Sequence, residues 1–312
     1  MASQHRKGVQ ERAAPGMTEG FVYVNGEFLP AAQATISVFD HGLLYGDGVY
    51  DTLMAWNGFL FKLDAHLDRL LRSCKAVKIE PPVSRSQLRD LLVETVSRSG
   101  LRNAYVKCIV SRGTSPAPLL DPRHCTPGLI IFAVPYPASA DPMRTATGIR
   151  AKITSIRRIP HDVIDSRIKS LNYLPFVLAR LEAVEAGYDE ALMQDERGYV
   201  CEAPGWNVFT VLNGTTITPS TSILEGITRE TVMEICTRLS IPCETRLITS
   251  YDLWIADEAF LTSTAGGISP IVEVDGRTIG TGQPGPSYRR IAQEFRNMLE
   301  RGEQGTPVPY AG

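Results

Sequence analysis

IKSLNYLPFVLARLEA, residues 168–183, sets a single lysine, Lys169, just ahead of a long apolar run with helical spacing. A solvated lysine at a helix start needs no explanation, and on this stretch alone that is the simpler reading. What surrounds it decides whether Lys169 has chemical work to do. Upstream, IRAKITSI (149–156) reads as a strand; downstream, LPFVLARLEAVEAG (174–187) reads as a helix and EALMQD (190–195) as a second strand. NVFTVLNGTTIT (207–218) places an Asn-Gly pair between apolar alternations, the hairpin signal. ITRETVMEICTRLS (227–240) reads as a helix with Thr228 near its start, followed by the strand AFLTST, a Gly-Gly turn and a closing helix, PSYRRIAQEFRNMLE.

The N-terminal half carries its own set. FVYVNGEFLP (21–30) is another Asn-Gly hairpin, and VYDTLMAW and FLFK are paired strands joined at Asn57-Gly58. DAHLDRLLRSCKAV follows as a helix, with Asp64 as its expected cap and Leu67, Leu70, Leu71 and Cys74 at helical spacing. SQLRDLLVETVSRSG is a second helix, stopped by Gly100. AYVKCIVSRG and GLIIFAV are buried strands flanking the loop TSPAPLLDPRHCTP. Strands and helices mix without regular βαβ alternation, so the fold class is α+β in two domains. The expected divisions are a loose tail over 1–20, a smaller N-terminal α/β domain over 21–135, a linker YPASADPM over 136–143, a larger C-terminal domain over 144–300, and a tail over 301–312.

Thirty-two basic against thirty-four acidic residues in 312 leave a net charge of −2, which gives no electrostatic case for nucleic acid or an anionic membrane as partner. The opening residues lack the apolar stretch of a secretory signal, and no segment approaches the ~20 apolar residues of a membrane span. Six cysteines without a CxxC pair read as reduced thiols of a cytoplasmic protein.

Several chemistries drop out. There is no HExxH, no Cys or His pair at ligand spacing, and only five scattered histidines, so no metal site is expected. GxSxG and GxxxxGK[ST] are absent, and YGDG (45–48) precedes a strand, unlike a dinucleotide-binding turn. The remaining pieces fit together around an aldehyde cofactor with a phosphate tail. A lysine forms a Schiff base only when neutral, which an apolar setting or a neighbouring cation favours. Glu202 in CEAPGWNVF could keep a pyridine nitrogen protonated. EGITRE (225–230) offers a glycine and a helix N-terminus, TSTAGG (262–267) offers hydroxyls, and Arg69 a cation, all suited to a phosphate. Singly, each has an ordinary structural reading.

Their order changes the balance. GDGVY with HLDRL, SRGTSP, IKSLN, the E-x4-N-x-F block from Glu202 to Phe209, LEGITR and STAGG run from about Phe21 to about Arg296, and in that series the chain resembles the class IV, fold-type IV, pyridoxal-phosphate aminotransferases. The resemblance implies a pseudo-barrel for the larger domain and pyridoxal 5'-phosphate as cofactor. It makes Lys169 the Schiff-base lysine and Glu202 the partner of the pyridine nitrogen. Arg69, Ile227, Thr228, Ser263 and Thr264 become the phosphate cup, with Tyr173 at the phenolic oxygen and Asn207 in the cofactor block. Tyr50, Thr52, Arg123 and Ala265 become the substrate residues. Pro204 and Thr216 depart from the family's usual small or hydroxylated and aliphatic residues.

The resemblance also implies a homodimer or larger assembly with shared sites and ping-pong amino transfer between a small amine or amino acid and a keto acid. Tyr50 in VYDTLM, Met54 where branched-chain enzymes carry arginine, and TAGG resemble the (R)-amine and D-amino acid branches. Ala117 and Leu119 stand where the D-amino acid branch has a carboxylate-clamping Arg-x-His. The expected activity is therefore an (R)-amine or D-amino acid transaminase, with branched-chain L-amino acid transfer as the alternative and an aminodeoxychorismate-type lyase as the alternative from another class.

Overall fold

The computed structural model describes residues 20–117, 119–136 and 148–310. All but Gly20 of the expected N-terminal tail, and all but Tyr136 of the expected linker, lie outside the described residues.

Local turn chemistry starts the first lobe. β1 (Phe21–Val24) and β2 (Glu27–Pro30) close on Asn25 and Gly26, both at positive φ, as an Asn-Gly hairpin requires. A short α1 (His41–Tyr45) ends on Gly46 in the left-handed conformation and leads into β3 (Gly48–Trp56), which pairs with β4 (Phe59–Phe61) across Asn57-Gly58. α2 (Leu63–Ala76) and α3 (Arg85–Ser99) follow, the second opened by a Ser84–Gln87 capping box and closed by left-handed Gly100. β5 (Ala104–Thr114) and β6 (Thr126–Pro135) complete the meander. Leu67, Leu70 and Cys74 of α2 and Leu88, Leu92 and Val96 of α3 bury one apolar stripe each against Leu53, Val106, Val110 and Ile131 of the sheet.

The second lobe runs β7 (Ile149–Ile153), α4 (Leu174–Glu185), β8 (Glu190–Gln194), β9 (Val200–Ala203), β10 (Trp206–Leu212), β11 (Thr215–Pro219) and α5 (Ile227–Arg238). It continues with β12 (Cys243–Arg246), α6 (Ser250–Trp254), β13 (Glu258–Ser263), β14 (Gly267–Val274), β15 (Arg277–Thr278) and α7 (Pro286–Glu300), and the chain ends in β16 (Gly305–Pro307). Its sheet runs β12-β11-β10-β13-β14-β7-β8-β9, and β9 pairs back onto β10. That pairing closes β10-β13-β14-β7-β8-β9 into a ring, the pseudo-barrel. β7 and β8 are parallel neighbours, so the chain between them must cross over, and α4 makes that crossing. Lys169 lies in the segment between strand and helix.

That segment also ties the lobes together. Tyr50 N donates to Lys169 O at 2.9 Å and Leu171 N to Gly48 O at 2.9 Å. A Cβ on Gly48 would lie 2.7 Å from Leu171 Cδ1 and 3.0 Å from Val110 O, so only glycine lets the lysine segment approach β3 this closely.

Two expectations are corrected. Asp64 does not cap α2: Lys62, at φ 47°, turns the chain out of β4 two residues earlier, and Asp64 sits in the first turn, where its charge suits the helix dipole and reaches Arg85 Nη2 at 3.0 Å. Nor are residues 301–312 simply a tail. β16 pairs antiparallel with β4 at the edge of the first sheet, and Val308 N donates to Gly58 O at 2.9 Å. A strand of three residues carries no readable alternation, and the open edge of β4 supplies its partners.

Candidate active site

One cavity opens between the lobes, lined from the first by Tyr50, Thr52, Arg69 and Tyr105 and from the second by Lys169, Tyr173, Glu202, Asn207, Ile227, Thr228 and the 262–265 segment. The Lys169 ammonium stands 4.6 Å from the Tyr50 ring centroid and forms no ion pair among the described residues. Its backbone N–H donates to Ser73 Oγ on α2 at 3.2 Å. Tyr50 meets Tyr173 edge-on at 5.5 Å between ring centroids. Burial, reinforced by Tyr173, pushes the Tyr50 phenol well above its ordinary value, so it stays protonated.

Glu202, on β9, is buried and firmly held. Arg158 Nε donates to Oε1 at 2.8 Å, while Leu224 N at 2.9 Å and Asn207 Nδ2 at 3.3 Å donate to Oε2. A carboxylate offers about four lone-pair positions, so three donors leave one for a protonated ring nitrogen. Asn207 also donates to Leu224 O at 2.8 Å. A Cβ on Gly226 would lie 2.0 Å from Asn207 Oδ1, so the asparagine and the glycine together shape the turn into α5. Gly226 is the N-cap of α5 and provides no side-chain cap, which leaves first-turn N–H groups at Ile227 and Thr228 open toward the cavity. Thr262 Oγ1, buried in the same wall, has no hydrogen-bond partner among the described residues. These orphaned donors fit a phosphate.

Arg69 is locked in place. Its Nε and Nη2 grip Asp51 at 2.8 and 2.7 Å, and Nη1 donates to Glu225 O at 3.0 Å beside the α5 turn. Asp51 also bonds His66 Nδ1 at 2.7 Å and accepts from Thr52 N at 2.8 Å. Burial by itself would raise the Asp51 carboxyl; Arg69 and His66 outweigh it and hold the carboxyl well below the usual range. His66, desolvated most of all, has its own pKa lowered. Ser263, Thr264 and Ala265 form the turn between β13 and β14, where Gly266 N donates to Ser263 Oγ at 2.9 Å and the Tyr136 hydroxyl reaches the carbonyls of Thr264 and Ala265, both at 2.7 Å.

The structure thus gathers Lys169, Arg69, Tyr173, Glu202, Asn207, Ile227, Thr228, Ser263, Thr264, Tyr50, Thr52 and Ala265 around one cavity. Arg123 is not brought to it: it sits 79% exposed on the loop before β6, bonded to Asp121, and does not line this chain's cavity. Two residues apart on one short turn, the pair satisfies itself locally.

Reading the sequence missed Asp51, His66, Arg158, Trp206 and Lys107. Asp51 carried a signal, a lone charge inside the apolar strand VYDTLMAW, and His66 stands one helical turn from Arg69. Lys107 is opposite Thr52 in the β3–β5 register, with its ammonium 4.6 Å from the Tyr50 ring centroid and no ion pair among the described residues.

Comparison with known proteins agrees with this geometry. The family model for amino-transferase class IV matches residues 48–274. A putative branched-chain-amino-acid aminotransferase of Methanocaldococcus jannaschii is 41% identical over 280 residues, covering 89% of this chain and 96% of the relative. The branched-chain-amino-acid aminotransferase of Pseudomonas aeruginosa is 33% identical, covering 90% and 93%. Among solved structures, the T.th. branched-chain amino acid aminotransferase complexed with N-(5'-phosphopyridoxyl)-L-glutamate superposes with a TM-score of 0.88 at 31% identity, covering 94% of this chain and 100% of that one.

Proposed function

The chain belongs to the class IV aminotransferases, pyridoxal-phosphate enzymes of fold type IV, and from that footing we propose that it moves an amino group from a branched-chain L-amino acid to a 2-keto acid. The observation that carries the chemistry is the convergence of an ion-pair-free Lys169, the three-donor Glu202 and the open N-terminus of α5 on one cavity. The substrate class rests on the relatives' names and on walls built from Tyr50, Tyr105, Tyr173, Phe176 and Trp206. The sequence expectation of an (R)-amine or D-amino acid donor yields here. It stood on short motifs around Tyr50 and residue 117, whereas the likeness to proteins named for branched-chain substrates spans about nine-tenths of the chain.

Bound pyridoxal phosphate supplies an aldehyde and an electron-withdrawing ring that together take up the substrate's nitrogen and weaken its α C–H bond. Glu202, oriented by Arg158, would pair with the protonated ring nitrogen. Arg69, the first-turn N–H groups of α5 and the hydroxyls of Ser263 and Thr264 would hold the phosphate, and Tyr173 would lie by the phenolic oxygen. Lys169 Nζ accepts the proton from the substrate's α carbon and returns it. Lys107 does not itself line the cavity but lies 4.6 Å from the ring centroid of Tyr50, which does, and from there it is assigned the distal carboxylate of a dicarboxylic keto acid, with 2-oxoglutarate the acceptor class.

Two copies are proposed to pair through a continuous apolar surface. Phe39, Leu43 and Leu44 near α1 and Leu174, Val177 and Leu181 on α4 are exposed, and Asn172 Nδ2 joins the two regions by donating to Gly46 O at 3.2 Å. Sedimentation should give a mass of at least twice 34.2 kDa.

A donor panel tests the activity. L-leucine or L-valine with 2-oxoglutarate should turn over fastest, with ping-pong kinetics. Turnover confined to (R)-1-phenylethylamine with pyruvate, or to D-alanine with 2-oxoglutarate, would reinstate the amine or D-amino acid reading; the uncharged Ala117 and Leu119 favour the amine.

A further inference from the structure

We infer that Trp206 is the specificity-determining wall of the substrate pocket: its indole, pressed onto the turn from Thr264 to Gly267, sets how long a donor side chain can lie beside that turn. The inference rests on the aminotransferase reading of the cavity and adds the residue that sizes it.

Trp206 opens β10 directly after a tight turn in which Gly205 takes φ +83°, and it pairs with Ala203 across the seam that closes the barrel. It lines the cavity together with Gly205, Thr264 and Ala265. On one side the indole touches the turn itself. A Cβ on Gly266 would lie 1.9 Å from its Cη2, 2.6 Å from Cζ3 and 2.7 Å from Cζ2, so the six-membered ring occupies the space any larger residue would claim. On the other side lies the buried Glu190 carboxylate of β8, whose pKa burial raises and the neighbouring Arg180 and Trp206 partly offset. Glu190 is held by Arg180 Nη1 of α4 at 2.5 Å and by its neighbour Ala191 N at 3.0 Å.

Packed against Gly266 in this way, the ring leaves no room beside the turn for a longer side chain. The turn is itself anchored, because the Tyr136 hydroxyl lies 2.7 Å from the Thr264 and Ala265 carbonyls and donates its one proton between them. A wall fixed in this way discriminates by size, and in such pockets a single methylene changes kcat/KM by about 10–200-fold.

The test uses the holoenzyme and straight-chain 2-amino acids from alanine to 2-aminooctanoate, in both enantiomers, with 2-oxoglutarate as acceptor and, for every donor but alanine, also with pyruvate. Trp206→Ala should move the chain-length optimum upward and raise kcat/KM for the longest donor relative to alanine by ~10-fold or more. Trp206→Phe, which keeps an apolar ring but drops the fused ring and the donor, should give an intermediate shift with the bound cofactor's absorption unchanged. Gly266→Ala, which drives the indole into the pocket, should move the optimum down. If Trp206→Phe binds cofactor normally and scales every donor by one common factor, the wall assignment is wrong. Wild-type enzyme that transaminates no donor of either enantiomer overturns the aminotransferase reading itself, a different result from an unmoved optimum.

Discussion

The two ends of the cavity are built differently. At the phosphate end every charge is committed: Arg69 is shared between Asp51 and Glu225 O, Asp51 is shared among Arg69, His66 and Thr52 N, and all three side chains of that trio are buried. At and beside the substrate end two lysines, Lys169 in the cavity lining and Lys107 behind it, each 4.6 Å from the Tyr50 ring centroid, have no ion pair among the described residues. A group that stays bound can be met by a prewired cradle, whose desolvation is already offset by internal partners. Substrates that alternate between donor and acceptor need groups left uncommitted. The contrast follows from what each end has to do.

The sharpest way to break it is at Lys169. Lys169→Ala should lower transamination by about 10³-fold or more, the scale of a lost acid–base group, as measured by steady-state kinetics with cofactor supplied in excess. Residual activity near wild type would remove the uncommitted end from the chemistry altogether. Next in size is the committed end. Asp51→Asn leaves Arg69 buried without its anion and should cost about 3–5 kcal/mol in urea unfolding, together with weaker cofactor retention. The pH dependence sharpens this point. Because the native Asp51 carboxyl lies well below its unfolded value, its stabilisation is complete above about pH 4 and is lost as pH falls from there toward the native pKa. The acid limb of the wild-type stability profile should therefore flatten in Asp51→Asn.

A smaller effect is expected at Lys107. Lys107→Ala should raise KM for 2-oxoglutarate about 10–100-fold, one charge-assisted hydrogen bond, while KM for L-leucine changes little. Equal changes for both would assign Lys107 to general packing. Smallest of all, Arg123→Ala should alter kcat/KM less than ~2-fold, since an exposed local pair with Asp121 contributes little.

Much of this was legible beforehand, and the particular misses explain why the rest was not. The Asn-Gly hairpins formed where their positive φ demanded, and the ordered motifs placed Lys169, Glu202, Arg69 and Thr228 around one cavity. The expected substrate branch followed a few residues near Tyr50, whereas the relatives similar over most of the chain are named for branched-chain amino acids. The place of Arg123 was not legible for a related reason: a charge on a loop gives no sign of whether it faces a cavity or its own neighbour, Asp121.

Sequence alone determined what depends on near neighbours: strands and helices from their periods, turns from backbone chemistry, and the residue types that cofactor chemistry demands. Tertiary structure decided the partners. Arg69 meets Glu225 O 156 positions away, Arg158 meets Glu202 44 positions away, β16 returns to β4, and Trp206 rests on Gly266. Such contacts obey no spacing rule, because which buried charge finds which counter-charge is settled only when two distant segments are packed face to face.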